Sequence, residues 1–338
     1  MKYYLKEEFL QDKNIKNAGN KARNDVEEIV VREGYSPLLL MVDDWYQMGT
    51  IRAQRHKAKA LSKAISKLKE GDQLLIQFPM LHHSFFTPHL VKRMQRKGVK
   101  VHFIIHDLEV LRYANLDTVP WKHKIRVHLQ ESSLLKQADG LIAHNPVMKS
   151  VLVDKGISEK KIVSLGIFDY LIPNYQDKED LSKEGAIIVA GNLAQEKAGY
   201  LYELPARPAY NLYGVGFDEA RKLSNETYFG SFLPDELPSA LEGSFGLVWD
   251  GDSSKTCSGV FGEYLRYNNS HKASLYLASG FPIIVWGQSA LANFVLEKEC
   301  GISVESLLDL EEVLDNLSQE EYQDLVKNAK AVGQKIRE

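Results

Sequence analysis

The chain has 338 residues, 44% of them hydrophobic and 26% charged, which is the composition of a soluble globular protein long enough for two domains. It has no apolar run of the roughly 18 residues that a membrane span needs, and its first residues lack the apolar segment of a signal peptide. Its cysteines, Cys257 and Cys300, have no metal-ligand spacing, so we expect a protein of the reducing cytoplasm.

Charge is divided unevenly along the chain. Residues 1–170 contain 28 basic against 19 acidic residues, and residues 171–338 contain 14 against 26. The basic residues concentrate at 52–69, 92–100 and 122–126. Solvated helix faces are the simplest explanation, and contact with an anionic membrane surface or a diphosphate-linked acceptor is the alternative. Nucleic acid is disfavoured, because these clusters lack interleaved aromatic residues and the whole chain is not basic.

The front half alternates helical and strand patterns, which is typical of a doubly wound parallel sheet. Short apolar runs predict strands, and amphipathic runs that end at glycine predict helices. In chain order we predict helix 25–33, strand 38–42, helix 57–69, strand 73–78, helix 88–97, strand 99–105, helix 122–137, strand 140–143, helix 146–155 and strand 163–165.

Residues 171–184 are polar and aperiodic and predict a linker, after which the strand and helix pattern restarts. Ser318 with Glu321 forms a capping box for the last helix. We predict strands 186–190, 211–214, 227–232, 245–249 and 282–286, with helices after 233–237, from His271, at 307–316 and at 320–334. The fold class is therefore α/β with two Rossmann-like lobes, residues 1–170 and 185–318, followed by a C-terminal helix at 319–338.

The segment Tyr267–Lys272 (YNNSHK) is the strongest candidate for an anion site. Ser270 can cap a helix that starts at His271, and Gly280 can end that helix in a left-handed conformation. A helix start has free N–H groups and a partial positive charge, to which Lys272 adds a full charge. This pattern favours a phosphate or diphosphate ligand, although a capped amphipathic helix with a solvated lysine would have the same sequence.

Ligands of open parallel sheets bind beyond the carboxyl ends of the strands, and this rule selects further candidates. Asp107 lies beside His106 at a strand end and suits the role of a general base. An ordinary helix-cap or turn role for Asp107 is an equal alternative. Asp43 and Asp44 are the next candidates for the base. The rule selects Asp43, Asp44, residues 78–83, His106, Asp107, His144 and Asn145 in the front lobe, and residues 191–197, Tyr213, Phe232, Asp250 and residues 268–272 in the back lobe.

Asp250-Gly251-Asp252 has the Asp-x-Asp spacing with which many sugar transferases hold a divalent metal. Asp-Gly is also an ordinary turn signal, and Lys272 with the helix start would already neutralise a diphosphate, so we expect no metal. The chain has no GxGxxG, P-loop, nucleophile-elbow or HExxH motif, which disfavours oxidoreductase, P-loop, hydrolase and zinc-protease functions.

Five segments together resemble a family of bacterial GT-B glycosyltransferases. That family includes β-1,6-galactofuranosyltransferases and the second glucosyltransferase of serine-rich-repeat adhesin glycosylation. The resemblance implies two Rossmann-like lobes facing a cleft, a UDP-sugar donor in the back lobe, an acceptor at the front lobe and no obligatory metal. The segments are FIIHDLEVLR (103–112), GNL (191–193), FLPDELP (232–238), FGLVWDG (245–251) and YNNSHKASLYLASGFPIIVW (267–286).

The resemblance also implies roles for single residues. Lys272 is similar to the family lysine that contacts the UDP diphosphate, and Phe232 to an aromatic residue near the uracil. Ser270 stands where galactofuranosyl members often have proline, and Gln195 and Lys197 stand near a family arginine position. The implied donor-binding residues are Gly19, Asn20, Lys21, Gly191, Asn192, Leu193, Lys197, Phe232, Asp250, Tyr267, Asn268, Asn269, Ser270, His271 and Lys272.

We therefore predict a glycosyltransferase that moves a hexose, galactofuranose or glucose, from a UDP-sugar to a hydroxyl of a glycan acceptor. That acceptor would be a lipid-linked oligosaccharide of surface polysaccharide synthesis or a glycosylated adhesin. Asp107, His106 and Lys272 are the predicted catalytic residues. A non-catalytic glycosyltransferase-like binding subunit is the alternative, and a UDP-sugar epimerase is less favoured. The resemblance further implies a homo-oligomer, and the basic front lobe favours a peripheral contact at the inner membrane face.

Overall fold

The computed structural model describes residues 1–9, 20–42, 50–81, 84–113, 120–121, 131–179 and 181–338. The candidates Gly19, Asp43, Asp44, His82 and His83 lie outside these ranges. Contacts divide the chain into two compact units, one of Met1–Asn14 with Val26–Leu165 and one of Ile15–Asp25 with Gly166–Glu338. We call them the front unit and the back unit.

The described part of the front unit contains one parallel six-stranded sheet in the order β2-β1-β3-β4-β5-β6. Its strands are β1 (Lys2–Phe9), β2 (Ser36–Val42), β3 (Gln73–Phe78), β4 (Lys100–Ile105), β5 (Gly140–Ala143) and β6 (Ile162–Ser164). Its helices are α1 (Lys21–Arg32), which starts in the back unit, α2 (Thr50–Ala64), α3 (Thr87–Arg96), α4 (Glu109–Arg112), α5 (131–137) and α6 (Pro146–Asp154).

Strand β1 was missed by the sequence analysis, although it lies inside the sheet between β2 and β3. Lys6, Glu7 and Glu8 interrupt its apolar pattern, and among residues 2–8 the side chains of Tyr4 and Leu5 are the buried ones. A period of two is a weak signal when so few of the residues face the core. The predicted helix 57–69 was misplaced, since α2 starts at Thr50 and the chain continues from Ile65 as a 3-10 turn.

The back unit also contains a parallel six-stranded sheet in its described part, in the order β12-β11-β10-β7-β8-β9. This is the Rossmann strand order. Between β7 and β10 the order in which successive strands are added to the sheet reverses, although all strands remain parallel. The strands are β7 (Ile187–Asn192), β8 (Tyr210–Val215), β9 (Glu226–Tyr228), β10 (Gly246–Val248), β11 (Ile283–Trp286) and β12 (Gly301–Val304). The helices are α7 (Gln195–Ala198), α8 (Leu237–Ala240), α9 (Gly259–Tyr264), α10 (His271–Ala278), α11 (Ala292–Lys298), α12 (Leu310–Asn316) and α13 (Gln319–Arg337).

The Tyr276 side chain links helix α10 to two strands of this sheet. The Tyr276 ring lies against Gly246 of β10, where a Cβ atom would come within 2.0 Å of Tyr276 Cγ. The Tyr276 hydroxyl accepts a hydrogen bond of 2.7 Å from the backbone N–H of Ala190 in β7. The start of α10 is thereby held above the two strands at which the sheet order reverses.

The prediction of two Rossmann-like lobes is confirmed by these sheets, and the capping box of Ser318 and Glu321 is present at α13. The sequence analysis missed α9, α11 and β12, which are short and lack a clear period. Within the described ranges, none of the helices has the length and apolarity to cross a bilayer.

Candidate functional site

Lys272 lies in the first turn of α10, with its side chain only 15% exposed. Its ammonium donates hydrogen bonds to the Trp249 carbonyl oxygen at 2.6 Å and to Asp250 Oδ1 at 2.9 Å. Burial lowers the pKa of Lys272, and the Asp250 carboxylate opposes that shift. The structure thus holds a cation directly after the carboxyl end of β10.

Gly191 near the end of β7 borders the same lysine. Its φ of 123° lies in the region that favours glycine. A Cβ atom there would lie 3.9 Å from Lys272 Cδ, so the aliphatic part of the lysine passes beside this backbone. Lys272 is therefore positioned at the carboxyl ends of the neighbouring strands β7 and β10, where the strand order reverses and where open α/β sheets bind ligands.

The backbone at the start of α10 is the next part of the candidate site. Ser270 has the extended backbone of an N-cap residue, but its side chain makes no capping hydrogen bond, contrary to the predicted cap. The first N–H groups of a helix have no partner within the helix, and anions satisfy them well. Gly280 ends the helix with a φ of 82°, as predicted.

The residues directly before this helix have two kinds of role. Some hold the segment in place, and one has an acceptor atom that a ligand could use. The buried Asn269 side chain donates to the Gly166 carbonyl, which ties the segment to the start of the back unit. The buried Asn268 Oδ1 has no hydrogen-bond partner in the described part of the chain. Tyr267 is half-buried and closes a turn by donating its backbone N–H to the Tyr264 carbonyl at 2.9 Å. A buried acceptor without a partner is costly, so Asn268 is the residue of this segment best suited to meet a ligand hydroxyl.

The loop after β7 brings a second cation to the site. The Asn192 side chain accepts the Ala194 N–H at 2.9 Å, and the Lys197 carbonyl accepts the Gly251 N–H at 2.8 Å. The Lys197 ammonium lies 5.1 Å from the centre of the Phe261 ring, and its charge contributes to the lowered pKa of Lys272. Leu193 is 1% exposed, so its side chain supports this loop from the core.

The two carboxylates of the Asp-x-Asp motif have different partners. Asp250 pairs with Lys272, and Asp252 accepts a hydrogen bond from the Ser258 hydroxyl. Among the described residues there is no group of three or more His, Cys, Asp or Glu side chains that could hold a metal ion.

Aromatic side chains lie at the ends of the neighbouring strands β8 and β9. Tyr213 is fully buried and stacks on Phe229 with a ring distance of 4.8 Å and an angle of 8°. Phe232 lies 6.1 Å from the Tyr213 ring and is half-buried. Phe229 is 41% exposed, so it offers a flat aromatic face that the sequence analysis did not single out. Its position inside the predicted strand 227–232 gave no signal for this role, since the observed strand ends at Tyr228.

Lys21 is one of the implied donor-binding residues and lies in the predicted front lobe, residues 1–170. By its contacts it belongs instead to the back unit, and it is only 7% exposed. Its ammonium donates to Asp25 Oδ1 at 2.9 Å, to Asp235 Oδ1 at 2.8 Å and to the Leu171 carbonyl at 2.7 Å. Because these bonds use its three donors, Lys21 ties the first turn of α1 to the back unit. Asn20, directly before α1, is exposed.

His271 connects α10 to this cluster. Its ring stacks on Tyr170 at 5.1 Å, and its Nε2 atom lies 3.2 Å from the Asp169 carbonyl oxygen. The Lys21 ammonium lies 5.0 Å from the centre of the same Tyr170 ring. The side chain of His271 therefore supports the helix start through packing and a backbone contact.

In the front unit, His106 and Asp107 follow the carboxyl end of β4 as predicted. His106 Nε2 lies 2.7 Å from Gln77 Oε1 of the adjacent strand β3. Asp107 Oδ1 accepts from Arg112 at 2.7 Å, and its side chain is 42% exposed. Asp107 is therefore accessible to a substrate, and Arg112 orients its carboxylate.

Glu131 is a titratable residue of this region that the sequence analysis missed. It is buried, and its two carboxylate oxygens accept the backbone N–H groups of Glu109 at 3.0 Å and Val110 at 2.9 Å. It thereby caps α4, the helix that carries Arg112. Burial raises the pKa of Glu131 to about 7, against the effect of these two hydrogen bonds. Its position inside a long predicted helix offered no signal for this role.

We expect Glu131→Gln to change how stability depends on pH. Because the folded-state pKa is raised above the usual value, folding favours the protonated acid. Stability should therefore fall as pH rises from about 4.5 to about 7, by on the order of 3 kcal/mol. The glutamine variant should show a flatter pH profile in urea unfolding. Glu159→Gln, at a 70% exposed site, is the control, and parallel profiles of wild type and Glu131→Gln would contradict the assignment.

Comparison with known proteins supplies the family context. The model of the glucosyltransferase 3-like N-terminal domain matches residues 2–167, and that of the glucosyltransferase 3-like C-terminal domain matches residues 187–338. The β-1,6-galactofuranosyltransferase WbbI of Escherichia coli K12 is 32% identical over 337 residues, covering 97% of this chain and 94% of the relative. Glucosyltransferase 3 of Streptococcus gordonii is 25% identical over 313 residues, covering 91% of this chain and 87% of the relative.

Solved structures agree with the fold. Anabaena Alr3699/HepE in complex with UDP aligns with a TM-score of 0.60 at 11% identity, covering 100% of this chain and 96% of that chain. The lipopolysaccharide outer core galactosyltransferase WaaB aligns with a TM-score of 0.55 at 12% identity, covering 99% and 94%. At these identities the likeness establishes the GT-B type of fold alone.

Proposed function

This chain belongs to the glucosyltransferase 3-like family, and from that premise we propose that it transfers a hexose from a UDP-sugar to a hydroxyl of a sugar acceptor. The observation that carries the proposal is the position of Lys272, in the first turn of α10 and between the ends of β7 and β10. The names of the relatives favour galactofuranose or glucose as the hexose. Surface polysaccharide or adhesin glycan is the corresponding product.

The diphosphate of the donor binds at the start of α10. Its oxygens accept from the first N–H groups of that helix and from the Lys272 ammonium, with Lys197 adding charge from the other side. These groups stabilise the negative charge that develops on the departing UDP, and they supply the role that a divalent metal has elsewhere. The uracil stacks at the aromatic residues Phe232 and Phe229, and Asn268 is our choice for the contact with a sugar hydroxyl.

In an inverting transfer, the acceptor oxygen attacks the anomeric carbon while the bond from that carbon to the UDP oxygen breaks. The proton of the acceptor hydroxyl passes to a general base, for which Asp107 is our choice. Its exposure allows contact with a substrate, and its contact of 2.7 Å with Arg112 orients the carboxylate. His106 fixes the end of β4 through its contact with Gln77 and thereby orients the segment that carries Asp107.

We expect Asp107→Asn to lower kcat by about 10²- to 10⁴-fold, because the amide cannot accept the proton. The affinity for UDP should stay within about twofold of wild type, since Asp107 belongs to the front unit and the donor groups to the back unit. Initial rates and calorimetric UDP binding measure the two effects. Asp154→Asn, an exposed aspartate of the same unit, is the control, and an Asp107→Asn enzyme with wild-type kcat excludes this base.

The activity itself is tested with a panel of UDP-sugars and sugar acceptors. Transfer releases UDP and adds the mass of one hexose residue to the acceptor. Sugar isomerisation without an added mass, or UDP-sugar binding without turnover across the panel, would contradict the proposal. The sugar that is consumed identifies the donor.

In the cell, we infer that the enzyme works in the cytoplasm at the inner membrane face, where a lipid-linked acceptor is presented. Assembly into a homo-oligomer is part of the same proposal and rests on the family resemblance. Light scattering of the purified chain tests the assembly, and a monomer mass at working concentration excludes it.

A further inference from the structure

Helices α2 and α3 present one strongly basic surface of the front unit. Neither helix contains an acidic residue, and the two helices pack against each other beside the sheet. We call this surface the cationic face and define it by six exposed side chains. These are Arg52, Arg55 and Lys59 of α2 and Lys92, Arg93 and Arg96 of α3.

The cations of this face are not paired with acidic side chains in the part of the chain that the structure describes. Elsewhere in the front unit, basic side chains do form ion pairs, as Arg112 does with Asp107 at 2.7 Å and Lys149 with Glu159 at 3.1 Å. A solvated helix face usually mixes both signs of charge, and this face has one. It therefore produces a positive potential that attracts an anionic partner.

Large apolar side chains lie on the same surface. Ile51 of α2 is 71% exposed, and Phe85 and Phe86, directly before α3, are 57% and 44% exposed. The Gln54 side chain accepts the Phe85 N–H at 3.0 Å, which fixes the phenylalanines beside α2. Ile51 is one turn from both Gln54 and Arg55, so apolar and basic groups alternate within one turn of helix.

We propose that the cationic face docks the front unit on the anionic leaflet of a lipid bilayer. In this arrangement the arginines and lysines meet headgroup phosphates, and Ile51, Phe85 and Phe86 enter the boundary between headgroups and acyl chains. An acidic soluble polymer would use the charges but would leave these three side chains in water. The combination of unpaired cations with protruding apolar groups is what fits a bilayer.

The docking itself does not depend on the proposed function. It deepens that function in one respect, because a lipid-linked acceptor would be met at the surface to which the enzyme is bound. Vesicle binding and UDP-sugar turnover are separate measurements. Failure of either one thus leaves the other standing.

The test is co-sedimentation of the full chain with phosphatidylcholine vesicles, with and without about one third phosphatidylglycerol. We expect binding to the anionic vesicles at least about tenfold tighter than to the neutral ones, and weaker binding as salt rises from about 0.1 M to about 0.5 M. Arg55→Gln combined with Arg96→Gln should lower the partition coefficient about 30-fold, from roughly a fivefold loss for each cation.

The control is Lys136→Gln combined with Lys160→Gln, which removes the same charge from two exposed front-unit positions outside the cationic face. It should change the partition coefficient by less than about twofold. Phe85→Ser combined with Phe86→Ser should weaken vesicle binding about tenfold while leaving binding to heparin unchanged. Absence of binding to anionic vesicles, an equal loss in the control, or unchanged vesicle binding of the Phe85→Ser and Phe86→Ser variant would each overturn the proposal.

Discussion

Replacing Lys272 by alanine is expected to lower kcat/KM for UDP-sugar transfer by about 10²- to 10³-fold. The ammonium is the one full positive charge in the first turn of α10, and its contact with the departing diphosphate strengthens as negative charge develops there. Steady-state rates with a saturating acceptor measure this loss. Lys272→Arg keeps the charge and should retain more activity than the alanine variant.

Stability has to be separated from chemistry in this experiment. Alanine at 272 leaves the buried Asp250 carboxylate without its partner, which costs about 3–5 kcal/mol when a buried pair is broken. Combining Lys272→Met with Asp250→Asn removes both charges and should restore most of the unfolding free energy without restoring activity. A stable double variant with wild-type kcat/KM would refute the role of Lys272.

Gly246→Ala is expected to destabilise the back unit by about 3 kcal/mol or more. The new Cβ atom would lie 2.0 Å from Tyr276 Cγ, in the middle of the packing between β10 and α10. Since the displaced helix carries Lys272, affinity for UDP should fall together with stability. Unfolding in urea can be followed by fluorescence of Trp249 and Trp286, which are fully buried in this unit.

A matched glycine, Gly287, directly follows the neighbouring strand β11. A Cβ atom at Gly287 would meet Glu305 Oε1 at 2.2 Å, but this atom is the end of a side chain that can rotate away. Gly287→Ala should therefore cost less than about 1 kcal/mol. Equal losses for the two variants would show that the contact between Gly246 and Tyr276 does not position α10.

Much of the fold could be predicted where local pattern and tertiary environment agree. Strand 73–78 and strand 140–143 were predicted with the limits that the structure has, because both are short apolar runs between turn residues. Strand β1 was not predicted because its central residues are charged. Helix α2 was predicted at the wrong place because its many basic residues obscure the apolar period. In both cases the packing of the surrounding sheet outweighs the local signal.

The residues of the candidate site could likewise be predicted only where a local sequence pattern marks them. Lys272 stood out because a helix start with an adjacent lysine is a local pattern that favours anions. Lys21 could not be interpreted from its neighbours, since its partner Leu171 is 150 residues away and neutralisation by Asp235 depends on the fold. Glu131 and Phe229 had no local signal that separates them from ordinary helix and strand residues.

The sequence by itself determined the alternation of strands and helices, the family, and the helix start at Ser270 with its end at Gly280. These follow from the spacing of apolar residues and from backbone preferences that act over a few positions. Only the tertiary structure decided that Lys272 pairs with Asp250, 22 residues earlier, beside Gly191 of a third segment. The physical reason is that the strand order brings the ends of β7 and β10 together, and the electrostatics of a buried ammonium are set by the groups around it in space.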